Sequence, residues 1–262
     1  MRMYDITVRK RALALLGQGL TVSEVSRRTG VSRYAIREWS LRADQNRDLY
    51  AKHGTPCPRC AEPPRLPDPE GTYAYLLGLY LGDGYISPVG DRRKNVWSLR
   101  IVCADAWPGL VEQCSAALIA IRPDNKVRLI PRVGCVEVNS YSKHWPCLFP
   151  QHGPGKKHER KIELAPWQRE IVDEFAMDLV RGLLHSDGSR FVNRVRRPLK
   201  GGERWYEYPR YNFTNVSLDI QRLFTDALDR LGIAWTQMNR KNISVARREA
   251  VARLDEFVGP KY

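Results

Sequence analysis

The chain has 262 residues, of which 43% are hydrophobic and 27% charged, which is the composition of a folded protein and excludes a disordered tail. Lys and Arg outnumber Asp and Glu by 43 to 29, and the net charge of +14 favours a polyanionic partner such as nucleic acid. No apolar run is long enough to span a bilayer, and the first residues contain no apolar secretory segment. We therefore expect a cytoplasmic protein with reduced cysteines and no membrane partner.

The sequence pattern of residues 1–53 predicts a small helical domain. An apolar face at Val8, Ala12, Leu15 and Leu16 predicts a first helix. The pattern indicates a second helix that begins at Thr21, where Glu24 completes a capping box, and ends at Gly30. A third helix would start at Ser32. The apolar residues of this stretch are spaced as the core of three packed helices: Val22, Val25, Val31, Ile36 and Trp39.

Residues 8–42 resemble a helix-turn-helix. In such a module the third helix enters the major groove, and an arginine near its start can pair with guanine or bind phosphate. A helical hairpin that binds protein is the alternative. The expected DNA contacts on the exposed face of the third helix are Ser32, Arg33, Tyr34 and Arg37.

Residues 54–71 form the predicted domain boundary. Six prolines between positions 54 and 70 exclude a long helix and indicate a semi-rigid linker. Cys57 and Cys60 make half of a zinc knuckle, with His53 four residues upstream of the first cysteine. Because no second C-x-x-C exists to complete four ligands, we favour free thiols over a Zn²⁺ site.

Residues 72–262 repeat one order of helices and strands, first over about 72–165 and then over about 166–262. This internal duplication indicates an α+β fold. The predicted strands lie at 96–103, 127–130 and 135–141 in the first repeat, and at 190–197, 204–214 and 243–246 in the second.

The two repeats begin with matching segments, LLGLYLGDG (76–84) and VRGLLHSDG (180–188), whose aspartates Asp83 and Asp187 are 104 positions apart. Each segment puts two small residues four positions apart, on one helical face, where two backbones can approach closely. We therefore expect two helices packed against each other. Their predicted interface residues are Gly78, Gly82, Gly182 and Ser186.

The aspartate before the last glycine of each segment is unfavourable at the end of an ordinary helix. A carboxylate at a helix C-terminus faces the negative end of the macrodipole and costs about 0.3–1 kcal/mol, whereas the glycine after it is a common helix terminator. Two such carboxylates on touching helices need protons or metal ions. Divalent metals that bridge carboxylates and phosphate oxygens are the chemistry of phosphodiester cleavage. For either segment alone, a buried helix with a glycine stop is the alternative.

Both segments resemble the signature of the LAGLIDADG (dodecapeptide) homing endonucleases, in the single-chain, two-repeat form. The resemblance covers about residues 72–262 and implies two pseudo-symmetric αββαββα repeats, with the signature helices at the centre and saddle-shaped antiparallel sheets along DNA. It also implies that Asp83 and Asp187 carry Mg²⁺ or Mn²⁺ for cleavage of both strands. The earlier acidic position of the signature is Leu81 in one repeat and His185 in the other.

The family also keeps a basic residue near each active centre. The resemblance places the first in the segment HGPGKKHERKIEL, where we predict Lys161, with Lys156, Lys157 and Arg160 as alternatives. In the second repeat only Lys261 could serve. Nicking of one strand is therefore the alternative to cleavage of both.

Alternating apolar and polar residues on the predicted strands indicate one polar face on each sheet. Polar and basic side chains on such a face suit major-groove and phosphate contacts, although a solvated outer face has the same pattern. The residues predicted to contact DNA from the sheets are Asn139, Tyr141, Arg194 and Arg196.

The sequence thus predicts a site-specific, Mg²⁺-dependent DNA endonuclease that is monomeric in its two-repeat domain. The alternative is a DNA-binding transcriptional regulator that keeps this fold without cleavage, as in the sporulation regulators of actinobacteria, which pair a similar domain with a helix-turn-helix. The presence of both Asp83 and Asp187 favours the enzyme. A third possibility, an RNA maturase, fits a DNA-type helix-turn-helix less well.

Overall fold

The computed structural model describes residues 6–40, 67–90, 95–199 and 202–261. The chain divides into two compact units, Met1–Pro56 and Cys57–Tyr262. Cys57, Cys60 and most of the predicted linker lie outside the described residues, so the linker and the state of these two thiols stay predictions. Of the described cysteines, Cys103, Cys114, Cys135 and Cys147 are free thiols.

The first unit is a bundle of three short helices around a small core. Among the residues that pack against this core are Val22 and Trp39, which are partly buried. The helices are α1 (Ile6–Gly17), α2 (Val22–Thr29) and α3 (33–40). The fully buried residues are Ala12, Val25, Val31 and Ile36.

The helix ends of this unit follow the expected capping chemistry. The hydroxyl of Thr21 accepts from the backbone N–H of Glu24, whose carboxylate accepts in return from the Thr21 N–H at 2.8 Å. Gly30 ends α2 with a φ of 68°, in the left-handed region that glycine adopts without strain. The Ser32 hydroxyl accepts from the N–H of Ala35 at 3.2 Å and so caps α3.

The second unit contains two successive αββαββα repeats, which confirms the predicted fold. The first comprises α4 (Glu70–Asp83), β1 (Gly84–Pro88), β2 (Trp97–Ala104), α5 (Pro108–Ile121), β3 (Val127–Arg132), β4 (Cys135–Ser142) and α6 (Trp145–Leu148). A 3₁₀ turn (Lys157–Glu159) and helix α7 (Pro166–Glu174) connect the repeats. The second comprises α8 (Ala176–Asp187), β5 (Gly188–Leu199), β6 (Gly202–Thr214), α9 (Leu218–Arg230), β7 (Thr236–Gln237), β8 (Asn242–Val245) and α10 (Arg248–Asp255).

The strands of each repeat form one antiparallel four-stranded sheet, in the orders β1-β2-β4-β3 and β5-β6-β8-β7. The registers match as well, since Gly84 lies opposite Ile101 and Gly188 lies opposite Phe213. The two hairpins differ in length: β5 and β6 have 12 and 13 residues, whereas β1 and β2 have five and eight. The sequence did not predict β1 or β7, because β1 continues directly from a helix and β7 is only two residues long.

Helix α4 is the centre of the second unit. It is buried at every position from Tyr73 to Leu81, as expected for a helix that is apolar all round. In the described part of the chain, no helix combines the length and the apolar character needed to cross a membrane.

Glycines let α4 and α8 pack backbone to backbone. A Cβ atom on Gly78 would lie 2.7 Å from the carbonyl oxygen of Leu179, and one on Gly182 would overlap the carbonyl oxygen of Tyr75. One turn further along, a Cβ atom on Gly82 would overlap the side chain of Ser186. The four residues predicted to form the helix interface therefore lie in it.

Each of these helices passes directly into a strand. Gly84 and Gly188 follow the aspartates in extended conformations, with φ of −86° and −98°, and not in the left-handed conformation common at helix ends. A Cβ atom on Gly84 would lie 2.5 Å from the Cα of Tyr80, and one on Gly188 would lie 2.5 Å from the carbonyl oxygen of Leu184. The glycines are thus required by a close approach to the preceding helical turn.

Candidate active site

The two aspartates lie at the ends of the paired helices. Asp83 is the last residue of α4 and Asp187 is the last residue of α8. A Cβ atom on Gly82 would lie 3.1 Å from a carboxylate oxygen of Asp187, so this side chain reaches the last turn of the opposite helix. Partial loss of solvent raises the pKa of both carboxyls, and the Asp187 charge helps to raise that of Asp83 to about 6.

Lys157 brings a positive charge to this pair. Its ammonium donates to three carbonyl oxygens at the end of α4, those of Tyr80 (2.5 Å), Gly82 (2.6 Å) and Gly84 (2.8 Å). Burial lowers the pKa of Lys157 to about 8, and the charges of Asp187 and Asp83 oppose that shift. The lysine is therefore fixed by main-chain atoms beside the carboxylates.

Lys261 has the corresponding place in the second repeat. Its ammonium donates to the carbonyl oxygen of Gly188 at 2.6 Å, and Gly188 is the counterpart of Gly84. Burial lowers the pKa of Lys261, and the charges of Asp83 and Asp187 oppose this effect. The second repeat therefore does position a lysine at the site.

The prediction that Lys161 is the basic residue beside the aspartates was wrong. Its side chain is 74% exposed, and its ammonium lies 2.5 Å from the carboxylate of Glu163 at the surface. The 3₁₀ turn that begins at Lys157 directs that lysine inward instead. The neighbouring Lys156 is exposed, and Arg160 donates to the carbonyl oxygens of Gln151 and Gly155 within its own loop.

Asn215 is a site residue that the sequence did not indicate. Its amide donates to a carboxylate oxygen of Asp187 at 2.6 Å, and its own oxygen accepts from the N–H of Ser217 at 2.8 Å. By strand register its counterpart in the first repeat is Cys103, whose buried thiol contacts that of Cys114. The two carboxylates thus have different neighbours, because only Asp187 has an amide donor at this position.

Two cavities open beside the helix ends, each with one of the lysines in its wall. The first, of 460 Å³, is lined by Asp83, Asp187 and Lys157. The second, of 370 Å³, is lined by Gly188 and Lys261. The two lysines thus line different cavities, whereas both carboxylates line the first.

The outer face of the first sheet bears one of its two predicted contacts. Tyr141 is 36% exposed there, and Arg128 lies 5.3 Å from the centre of its ring. Asn139 is on the same face but only 1% exposed, and its amide donates to the hydroxyl of Ser98 at 2.7 Å. The prediction of a direct contact by Asn139 is therefore corrected. Its short side chain lies between Arg128 and Arg100, its longer partners on the adjacent strands.

Arg194 and Arg196 are on the other face of the second sheet from the one expected. Strand register puts them on the same face as Tyr211, which is buried on the helix side of the sheet. Arg194 lies 2.7 Å from the Glu207 carboxylate, and Arg196 pairs with Glu203. The outer face of β6 instead bears Arg204, Tyr206, Tyr208, Arg210 and Asn212.

The residues predicted to contact DNA from the first unit share one exposed surface. Tyr34 is 74% exposed, and Ser32, Arg33 and Arg37 are exposed around it at the start of α3. Their contact with DNA stays a prediction.

The chain is similar in fold to solved structures of LAGLIDADG proteins. The homing endonuclease I-DmoI, as mesophilic variants, is 15% identical at a TM-score of 0.49, covering 72% of this chain and 96% of that one. The N-terminal LAGLIDADG domain of DUF199/WhiA is 10% identical at a TM-score of 0.44, covering 83% and 90%. I-DmoI in complex with DNA and Mn is 16% identical at a TM-score of 0.48, covering 74% and 99%. No family model and no curated protein sequence matches this chain.

Proposed function

We propose that this protein is a site-specific DNA endonuclease that hydrolyses phosphodiester bonds with a divalent metal at Asp83 and Asp187. The observation that carries the proposal is the position of these two carboxylates at the ends of paired helices, with one partly buried lysine from each repeat beside them. Each lysine donates to main-chain carbonyl oxygens, so its position does not depend on an ion pair with the carboxylates, and a cation can bind between them.

The donor set fits a hard cation. Mg²⁺ and Mn²⁺ favour carboxylate oxygens, and Mg²⁺ is commonly held by one or two carboxylates together with substrate phosphates. A cation at Asp83 and Asp187 would also remove the repulsion that helps to raise the pKa of Asp83. No group of three or more His, Cys, Asp and Glu side chains in the described residues could hold a metal, so phosphate and water would complete the coordination. When bound, the metal would supply an activated water and stabilise the leaving oxygen.

The lysines supply fixed positive charge at the site. Lys157 is held by three carbonyl oxygens, so its ammonium needs no reorganisation when negative charge develops on a phosphate. Its pKa of about 8 also lets it exchange a proton near neutral pH. Lys261 supplies a second positive charge, held by the carbonyl oxygen of Gly188, and we assign one lysine to each DNA strand.

Duplex DNA would lie along the outer faces of the two sheets. These faces carry Arg100 and Arg128 in the first sheet and Arg204 and Arg210 in the second. Arginines there can bind phosphates or pair with guanine, and the net charge of +14 adds a general attraction.

The exposed start of α3 would provide a further DNA contact, as in a helix-turn-helix. Replacing Arg33 and Arg37 by alanine in the full chain should then weaken binding while the thermal unfolding temperature stays unchanged. An unaltered affinity would remove the first unit from the DNA-binding surface.

Cleavage distinguishes the endonuclease from a DNA-binding regulator of the same fold. Sites can be selected from a randomised duplex library by binding, placed in supercoiled plasmid and incubated with protein and Mg²⁺ or Mn²⁺. We expect open circles and then linear plasmid, and neither from Asp83→Asn or Asp187→Asn, which should still bind because the carboxylates do not read bases. Binding by the wild type without cleavage would establish the regulator instead.

A further inference from the structure

The side chain of His185 connects the helix interface to the segment that carries Lys261. It lies two residues before Asp187 in α8 and is 2% exposed. Its Nε2 atom is 2.8 Å from the carbonyl oxygen of Val258, and its Nδ1 atom is 3.0 Å from the hydroxyl of Tyr75. Both ring nitrogens therefore have partners inside the protein.

These partners fix the tautomer of the neutral imidazole. A carbonyl oxygen can only accept, so Nε2 must carry the hydrogen and donate it to Val258. Nδ1 is then an acceptor, and the Tyr75 hydroxyl donates to it. The ring therefore accepts a hydrogen bond from Tyr75 in α4 and donates one to Val258 in the chain after α10.

The bond to Val258 fixes the path of the chain toward the site. The N–H of Val258 donates to the carbonyl oxygen of Leu254 in α10 at 2.9 Å, and its side chain is 3% exposed. Gly259 follows with a φ of 71°, and the turn leads to Lys261 and its bond to Gly188. Helix α8 and the glycine after it thus hold residues 258–261 at both ends.

The first repeat positions its lysine in another way. The position that corresponds to His185 is Leu81, which is fully buried and has no polar group in its side chain. Lys157 is held there by the three carbonyl oxygens at the end of α4, whereas Lys261 has one such bond within the described part of the chain. Lys261 therefore depends more on the path of its own backbone.

We propose that His185 is a positioning residue for Lys261, and that it supports cleavage of one DNA strand only. The strand is the one served by Lys261. This inference rests on the proposed endonuclease function, and its two tests separate the two ideas.

The first test follows each strand separately, with a duplex labelled at one end of each strand. Lys261→Met identifies the strand that this lysine serves. His185→Leu, which places the residue of the matched position of the first repeat, should slow cleavage of that strand about tenfold, the effect of one lost hydrogen bond. The other strand should change less than about twofold. Equal slowing of both strands would overturn the proposal, as would no slowing of either.

Two comparisons separate positioning from a loss of structure. His185→Gln can place an amide donor where Nε2 lies and should restore cleavage of that strand, whereas the shorter His185→Asn should not. In the Lys261→Met background, His185→Leu should have no further effect on that strand. A further loss in this double variant would contradict action through Lys261.

The second test needs no DNA. Acetylation of lysines by acetic anhydride, followed by mass spectrometry, reports how tightly each ammonium is held. His185→Leu should raise the acetylation rate of Lys261 several-fold, with Lys157 and the exposed Lys161 as internal controls that do not change. An unchanged rate at Lys261 would overturn the proposal even if cleavage falls. If the acetylation rate rises but the wild type cuts no DNA, the positioning of Lys261 by His185 is supported and the endonuclease function fails.

Discussion

The ammonium of Lys261 donates to the carbonyl oxygen of Gly188 at 2.6 Å, directly after the helix that ends in Asp187. Lys157 makes the matching bond to Gly84 at 2.8 Å. One lysine comes from a 3₁₀ turn and the other from the chain after α10, so two unlike segments reach equivalent positions of the two repeats. The symmetric part of the site is therefore the pair of helix ends, and not the two segments that carry the lysines.

Metal binding at the aspartates should depend on pH. The pKa of Asp83 is raised to about 6, so below that pH a proton competes with the metal for this carboxylate. Affinity for Mn²⁺ should fall by up to about tenfold for each pH unit between 6 and 5. Isothermal titration calorimetry at these pH values measures it. Asp83→Asn should lose most of the dependence, and an affinity that is constant from pH 5 to 7 would contradict the assignment.

Cleavage should require Lys157 and not Lys161. Lys157→Met removes the charge beside the carboxylates and should slow one strand about 100-fold, within the range for loss of a positioned acid–base group. The plasmid product would then be open circles that become linear slowly. Lys161→Met is the matched control, because that side chain is exposed and paired with Glu163. If the control variant loses as much activity, the assignment of Lys157 is wrong.

The packing of α4 on α8 should not tolerate a methyl group at its centre. In Gly78→Ala the new Cβ would lie 2.7 Å from backbone atoms of α8, which cannot move aside as a side chain can. We expect the second unit to lose about 2–3 kcal/mol of unfolding free energy in urea titrations. Gly17→Ala is the control, since its Cβ meets nothing within 4 Å. Equal stability of the two variants would show that the helices are less tightly packed than described.

The outer face of the second sheet should contribute more to DNA affinity than its helix-side face. Arg204 is exposed on the outer face, 5.4 Å from the centre of the Tyr206 ring, with no acidic residue opposite it. Arg204→Ala should reduce the slope of log affinity against log salt by about 0.9, the value for one phosphate contact. Arg194→Ala, on the other face and paired with Glu207, should leave the slope unchanged. The reverse result would place the DNA on the opposite face.

The sequence was sufficient for the parts of the structure that local pattern determines. Small residues four apart located the interface of α4 and α8, and a capping box located the start of α2. It was insufficient where a residue's role depends on strand register. Arg194 on β5 and Tyr208 on β6 belong to the same hairpin but lie on opposite faces of it. Only the pairing of β5 with β6 shows this.

The choice among neighbouring basic residues was also beyond the sequence. Lys156, Lys157, Arg160 and Lys161 occur in one loop without a helical or strand period, and a short 3₁₀ turn decides which of them points inward. Asn215 follows a strand as many turn residues do, and its bond to Asp187 exists only once β6 pairs with β5 and returns to the end of α8. Contacts between distant segments are the common cause of these omissions.

The unequal hairpins give the two-repeat unit a polarity. A homodimer presents the same surface twice and therefore suits a ligand with two-fold symmetry. Here β5 and β6 extend well beyond the length of β1 and β2, so the sheet of one repeat has a longer reach than the sheet of the other. A polymer that lies along both sheets then meets two different ends. Turning it end for end would exchange a long contact for a short one, so the two orientations would not be equivalent.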